Sequence, residues 1–153
     1  MRRLPGLLAM LGLLGPATAS AQTVLPCDGR VDVTQIVEPW ETRTRAFAQG
    51  AIRIFEVYVD PNVAQGAFVG VLHPAPTEDG IAANRGCTAV MTALTPDGMM
   101  AEAYIEDATA RYDPARGLTI TVPIRILGGA SDVTDTLVFT VNQATGQVLP
   151  GDG

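Results

Sequence analysis

From Leu118 to Ile126 every second residue is apolar: Leu118, Ile120, Val122, Ile124 and Ile126 alternate with Thr119, Thr121, Pro123 and Arg125. A period of two is the mark of a half-buried strand, and Pro123, which has no N–H to give a ladder, predicts an edge or a bulge there. Val133 to Val141, "VTDTLVFTV", repeats the pattern, with Leu137, Phe139 and Val141 on one face and Thr134, Thr136 and Thr140 on the other. Apolar runs predict further strands over Arg45–Ala48, Ala51–Val59, Ala67–His73 and Cys87–Leu94. Ala51–Val59, "AIRIFEVYV", is apolar almost throughout, as befits a central strand covered on both faces.

Turn residues separate these runs. Gln49-Gly50, Pro96-Asp97-Gly98, Asp113–Gly117 and Asn142–Gly146 each fall between two strand patterns, and the last two share an Asp or Asn at the first place and Gly at the fifth. In such a loop the short polar side chain accepts a bond from the turn backbone, and Gly supplies the positive φ that returns the chain. Short strands with regular turns predict an all-β fold, an antiparallel β-sandwich of about seven or eight strands with at most one short helix. Met99 to Tyr112 is the ambiguous stretch. Ala101, Tyr104, Ile105, Ala108 and Tyr112 fall on one helical face, so an α+β alternative has a helix near 99–112. The Asp113–Gly117 turn favours strand for 108–112 and leaves 99–107 open.

The first residues break the pattern. Met1-Arg2-Arg3, an apolar run from Leu4 to Leu14 and the small-residue site Ala19-Ser20-Ala21 follow the order of a secretory signal peptide cleaved after Ala21. The apolar run spans about half of the twenty or so residues a membrane-crossing helix requires. Residues 1–21 are therefore expected to be a signal peptide, with 22–153 a single β-rich domain, periplasmic or secreted; a twin-arginine route is a weaker reading of Arg2-Arg3. Cys27 lies too far beyond the apolar run, and after Pro26, to be a lipoprotein cysteine. With Cys87 the only other cysteine, an exported chain predicts a Cys27–Cys87 disulfide, a staple for an otherwise loose N-terminal arm.

Charge narrows the partners. The chain carries net charge −6, and removal of residues 1–21 takes two arginines with it and leaves −8, which argues against nucleic acid or anionic membrane surfaces. All ten basic residues are arginine; the absence of lysine, whose codons are AT-rich, points to a GC-rich, bacterial source.

The inventory of reactive groups is short. Beyond residue 21 there is one serine, Ser131, and one histidine, His73. Ser131 sits in "GGASD", which reads as a simple turn, and His73 precedes Pro74 and reads as a strand end rather than a base. Paired cysteines leave no thiol nucleophile. Asp132 with Asp135, or Asp107 with Asp113, follows no calcium-loop spacing, one histidine cannot supply a zinc set, and no glycine-rich cradle opens a helix. No catalytic residue, metal or cofactor is implied.

The remaining chemistry is concentrated in "VEPWETRTRAF", Val37 to Phe47, where Glu38, Glu41, Arg43 and Arg45 surround the only tryptophan, Trp40. An aromatic anchor among charges of both signs is a candidate binding surface. The plainer alternative has Trp40 filling the core near the first strand while the charges face water. Eight aromatic residues with one Trp do not suggest a sugar-binding platform. The sequence thus points to a non-enzymatic binding or envelope accessory module with an unknown protein or small-molecule ligand. The alternative is a hydrolase or lyase using a carboxylate pair such as Glu102 and Glu106 or Asp132 and Asp135.

Overall fold

The structure is a computed structural model that describes residues 22–59, 66–75, 84–92, 100–127 and 131–151. Residues 1–21, expected to be a signal peptide, the end of the strand predicted to reach Leu94, the Pro96-Asp97-Gly98 turn and most of "LGGAS" lie outside the described residues. Among the described residues ten strands form two antiparallel sheets. The first has the order β1-β5-β4-β3-β2, from β1 (Gln22–Pro26), β2 (Thr44–Phe47), β3 (Ile52–Tyr58), β4 (Ala67–Ala75) and β5 (Asn84–Thr92). The second has the order β10-β9-β8-β6, from β6 (Met100–Ala103), β8 (Gly117–Ile126), β9 (Val133–Asn142) and β10 (Gln147–Pro150), and β7 (Thr109–Asp113) also pairs with β8.

The alternation of β8 is realised in full. Leu118, Ile120, Val122, Ile124 and Ile126 are buried, and with Leu137, Phe139 and Val141 of β9 they form the inner face of the second sheet. Ile52 and Ile54 of β3, Val69 and Val71 of β4 and Val90 of β5 face them from the first sheet. Each such side chain contributes about 1.5–3 kcal/mol through burial, so the two faces together hold the sheets.

Both five-residue turns close hairpins as their sequence predicts. Asp113 Oδ1 accepts from the Ala115 amide at 2.8 Å, and Asn142 Oδ1 accepts from Ala144 and Thr145 at 3.0 and 3.2 Å. Gly117 and Gly146 take φ of +113° and +71°. The Gln49-Gly50 turn between β2 and β3 is less economical, because Ala48 and Gln49 also adopt positive φ, 50° and 56°.

Three expectations are corrected and one open stretch is resolved. Pro123 lies neither on an edge strand nor at a bulge of its own strand, since β8 is flanked by β9 and by β6 and β7. Its carbonyl accepts from Tyr104, where β6 gives way to a 3-10 turn over Ile105–Asp107, so its nitrogen faces the gap between β6 and β7 and removes no ladder bond. The strand expected at 108–112 is present as β7, and the stretch left open before it holds no α-helix among its described residues; the helix-like spacing of Ala101, Ile105 and Ala108 comes from a strand, a bend and the approach to a second strand, which bury the three in turn. The one short α-helix among the described residues, α1, is instead Trp40–Arg43. Finally, Gln22–Pro26 is not a loose arm but strand β1, paired with β5 from Gln22↔Thr92 to Pro26↔Thr88.

Cys27 follows directly and is bonded to Cys87, 60 residues on, with the Cys27 amide donating to the Cys87 carbonyl at 3.1 Å. From there residues 27–43 run as a strap across the outer face of the first sheet. Val31 and Ile36 pack on the core, Ile36 bridges Val57, and the Val37 amide donates to the Glu56 carbonyl. The strap covers both outward-facing Phe55 and Val57, which explains why β3 reads as apolar on both faces. Among the described residues no helix is long and apolar enough to cross a membrane.

Candidate functional site

The strap does not seal the outer face. Beside it lies an open groove of about 520 Å³, with Val33, Ile36 and Trp40 on the strap side, Phe55 and Leu72 on the sheet side, and the Cys27–Cys87 disulfide in its wall. Its floor depends on a glycine. A Cβ at Gly70 would lie 2.3 Å from the Phe55 ring, so only glycine on β4 lets that ring lie flat against the neighbouring strand. Trp40 is 49 % exposed and Val33 65 %, so two large apolar side chains stand half in water at the groove. Asp28, Thr44 and Arg53 provide its polar lining, and Arg53 Nη1 donates to Thr44 Oγ1 at 3.2 Å. A second groove of about 380 Å³ opens on the other side of the strap, near Leu25, Phe68, Met91 and Met100.

Trp40 is therefore not a core plug, and the reason is local. It opens α1 immediately after Pro39, on a turn too short to be stable alone. What holds that turn is its last residue. Arg43 Nη1 lies 2.9 Å from Glu56 Oε2 and 3.1 Å from Glu102 Oε1, tying α1 to β3 of the first sheet and β6 of the second. Glu102 Oε2 receives Arg125 Nη2 at 3.4 Å, and Arg125 Nη1 reaches Asp132 Oδ2 at 2.8 Å. Three carboxylates and two guanidiniums thus form one chain of charge along the seam of the sandwich.

Glu56 is its buried end, wholly enclosed, with Oε1 accepting from the Ala103 amide at 2.8 Å. Burial pushes its carboxyl above the ordinary glutamate range, against the opposing pull of the Ala103 N–H and the Arg43 charge. Arg43 is held above its usual value because the charges of Glu56 and Glu102 outweigh its own partial burial, the largest single effect on it. Tyr58 is raised too, by burial first and then by the nearby Glu56 charge. Asp132 raises Arg125, chiefly through its hydrogen bond.

The five residues of the predicted surface share one stretch but point to three places. Trp40 turns to the groove. Arg43 turns to the interior seam. Arg45, on β2, stands 5.6 Å over the Phe47 ring and donates to the Glu106 carbonyl, while Glu38 and Glu41 are exposed. The candidate carboxylate pairs are engaged separately: Glu102 with Arg43 and Arg125, Asp132 with Arg125, and Asp135 Oδ1 with the Thr136 amide, while Glu106 is exposed. His73 is buried within β4, two residues short of its end, with its ring over Gly86. Its Nδ1–H donates to the Pro74 carbonyl at 2.9 Å, and Nε2 lies 2.9 Å from Thr88 Oγ1. Among the described residues no group of three or more His, Cys, Asp or Glu is placed to hold a metal ion. Sequence reasoning passed over Arg125 of the seam, Val33, Ile36, Phe55 and Leu72 of the groove and, most notably, Glu56. The signal for Glu56 was present, the lone carboxylate of a mostly apolar central strand, which has to find a cation.

These features define a class: a small, disulfide-stapled antiparallel β-sandwich with an apolar groove beside a strap. No family model, curated protein or solved structure matches the chain.

Proposed function

We propose that this chain is an exported binding module, periplasmic or secreted, and that the groove beside Trp40 is where it takes a small apolar ligand. Residues 22–153 act as one β-rich domain once the signal segment 1–21 has been removed. The observation that carries the reading is Trp40 itself. A four-residue helix anchored by part-buried ion pairs holds the only tryptophan half-exposed beside Val33, over a concavity of the size that small ligands fill. A disulfide supports the exported setting, and the negative charge argues against nucleic acid. A hydrolase or lyase would instead need a carboxylate free to move a proton at an accessible cleft. Glu56 has the raised proton affinity but is enclosed and engaged by Arg43 and Ala103, whereas the accessible concavity is apolar.

Titration with the uncharged probe N-phenyl-1-naphthylamine tests the groove. Saturable binding that weakens about tenfold or more in Val33→Asp, a change at an exposed position, supports it; binding unchanged by Val33→Asp, or none at all, contradicts it. Export is tested separately by intact mass: a mature chain beginning at Gln22 supports it, and one beginning at Met1 contradicts it.

A further inference from the structure

The second sheet carries a different kind of concavity. On its outward face, at the β7–β8 hairpin, lies a polar depression of about 380 Å³ formed by Thr109, Arg111 and Asp113 of β7, Thr119 and Thr121 of β8, and Arg116 of the turn. The register explains the grouping. Thr109 pairs with Thr121, Arg111 with Thr119 and Asp113 with Gly117, so alternate residues of the two strands project side by side on one face.

Arg111 and Arg116 differ from the other described arginines. Arg43 and Arg125 hold carboxylates, Arg30, Arg45 and Arg85 donate to carbonyls, and Arg53 donates to Thr44. Of the described arginines, Arg111 and Arg116 alone have no side-chain hydrogen-bond, ion-pair or ring partner, and both line this depression. Asp113, the one carboxylate in the lining, has Oδ1 turned to the Ala115 amide within the hairpin. Two guanidiniums against one carboxylate leave a net positive site on a chain whose overall charge is −6. The Thr119 hydroxyl is shared with Thr140 at 2.8 Å, while Thr109 and Thr121 have no other side-chain hydrogen bond.

We infer that this depression is a second binding site, for a soluble phosphate or sulfate ester. The guanidinium fork matches a tetrahedral oxyanion with two parallel N–H donors, and threonine hydroxyls can donate to its remaining oxygens. Six of the seven residues lining the depression carry polar or charged side chains, which suits a polar carrier for the oxyanion. Its concavity and the chain's negative field select a soluble ester over an anionic membrane. The site lies on the opposite sheet from the groove beside Trp40 and does not rest on that reading.

The test is titration of the mature, disulfide-bonded protein with inorganic phosphate and with glycerol 2-phosphate, followed by the Arg Nε–H and Thr amide resonances, at ionic strength matched with sodium chloride. Saturable shifts confined to Arg111, Arg116 and the neighbouring threonines, weakened about tenfold by Arg111→Gln or Arg116→Gln and abolished in the double variant, establish the site. Both arginines face solvent, and unchanged melting of the variants confirms that the fold is intact. Shifts reproduced by chloride alone, or persisting in the double variant, overturn the inference. Preferential co-sedimentation with phosphatidylglycerol vesicles through the same two arginines overturns the assignment to a soluble ester.

Discussion

Arg43 shows how much structure can depend on one side chain. Among the described residues its ion pairs are the only ones between α1 and the two sheets, and its removal strands Glu56, which has no exposure through which to recover water. Arg43→Met is expected to destabilise the protein by about 3 kcal/mol, as breaking a buried pair from one side does. Glu56→Gln keeps an acceptor for the Ala103 amide and releases Arg43 to Glu102 alone, so it should cost less. The double variant should cost less than the sum of the two, and denaturant unfolding of all four proteins reads the coupling directly. Two glycines make a second contrast. At Gly117, φ is +113° and a Cβ would stand 2.4 Å from the Val141 carbonyl oxygen, whereas Gly146, at φ +71°, lies in the left-handed region that asparagine tolerates. Gly117→Asn should therefore lower stability by about 2 kcal/mol and Gly146→Asn by about 0.5 kcal/mol or less, measured in the same way.

At the scale of elements, the disulfide fixes where the strap begins. In the chain-entropy model a closed loop of 60 residues is worth roughly 4 kcal/mol, a large part of the 5–15 kcal/mol typical of a domain. Reduction, or Cys27→Ser with Cys87→Ser, should lower the melting temperature by about 10 °C or more in scanning calorimetry. Loss of less than about 3 °C would mean that β1 and the strap hold without it. The elements legible in the sequence were those whose signal is local. The period-two run of β8 and the Asn142 and Asp113 turns needed nothing from elsewhere in the chain. β1 was illegible because Gln22–Pro26 is short and gains its ladder only from β5, whose partner residues lie 62 to 70 positions ahead at the paired ends. The bend at Ile105–Asp107 imitated a helix because a chain that turns there buries Ala101, Ile105 and Ala108, at the same four-and-three spacing as one that coils. The site was half legible. Trp40 stood out by composition, but the partners of Arg43 lie 13 and 59 residues away, and no pattern within one segment encodes them.

For the whole molecule, the buried seam sets a pH dependence. Glu56 binds its proton more tightly folded than unfolded, so in the window between the ordinary glutamate range and its raised value the folded state holds the extra proton. Its contribution therefore opposes stability above that window and is relieved as pH falls through it. The stability of the native protein relative to Glu56→Gln should rise on acidification from neutral pH towards the ordinary glutamate range; comparing the two cancels exposed groups such as Asp32, whose carboxyl the Thr34 hydroxyl holds low. A relative stability that falls on acidification would show that Arg43 and the Ala103 amide outweigh burial. The sandwich, the strap and the seam together make one functional claim, that the groove beside Trp40 is an open ligand seat. Because Trp40 is the only tryptophan, its emission reports on that seat alone. The direct measurement is acrylamide quenching of Trp40 with and without saturating 1-decanol, an apolar ligand that does not absorb there. The account predicts efficient quenching in the free protein, with a blue shift and protection on binding. An indole already shielded in the free protein, or one whose emission and quenching are unchanged by the ligand, would contradict it.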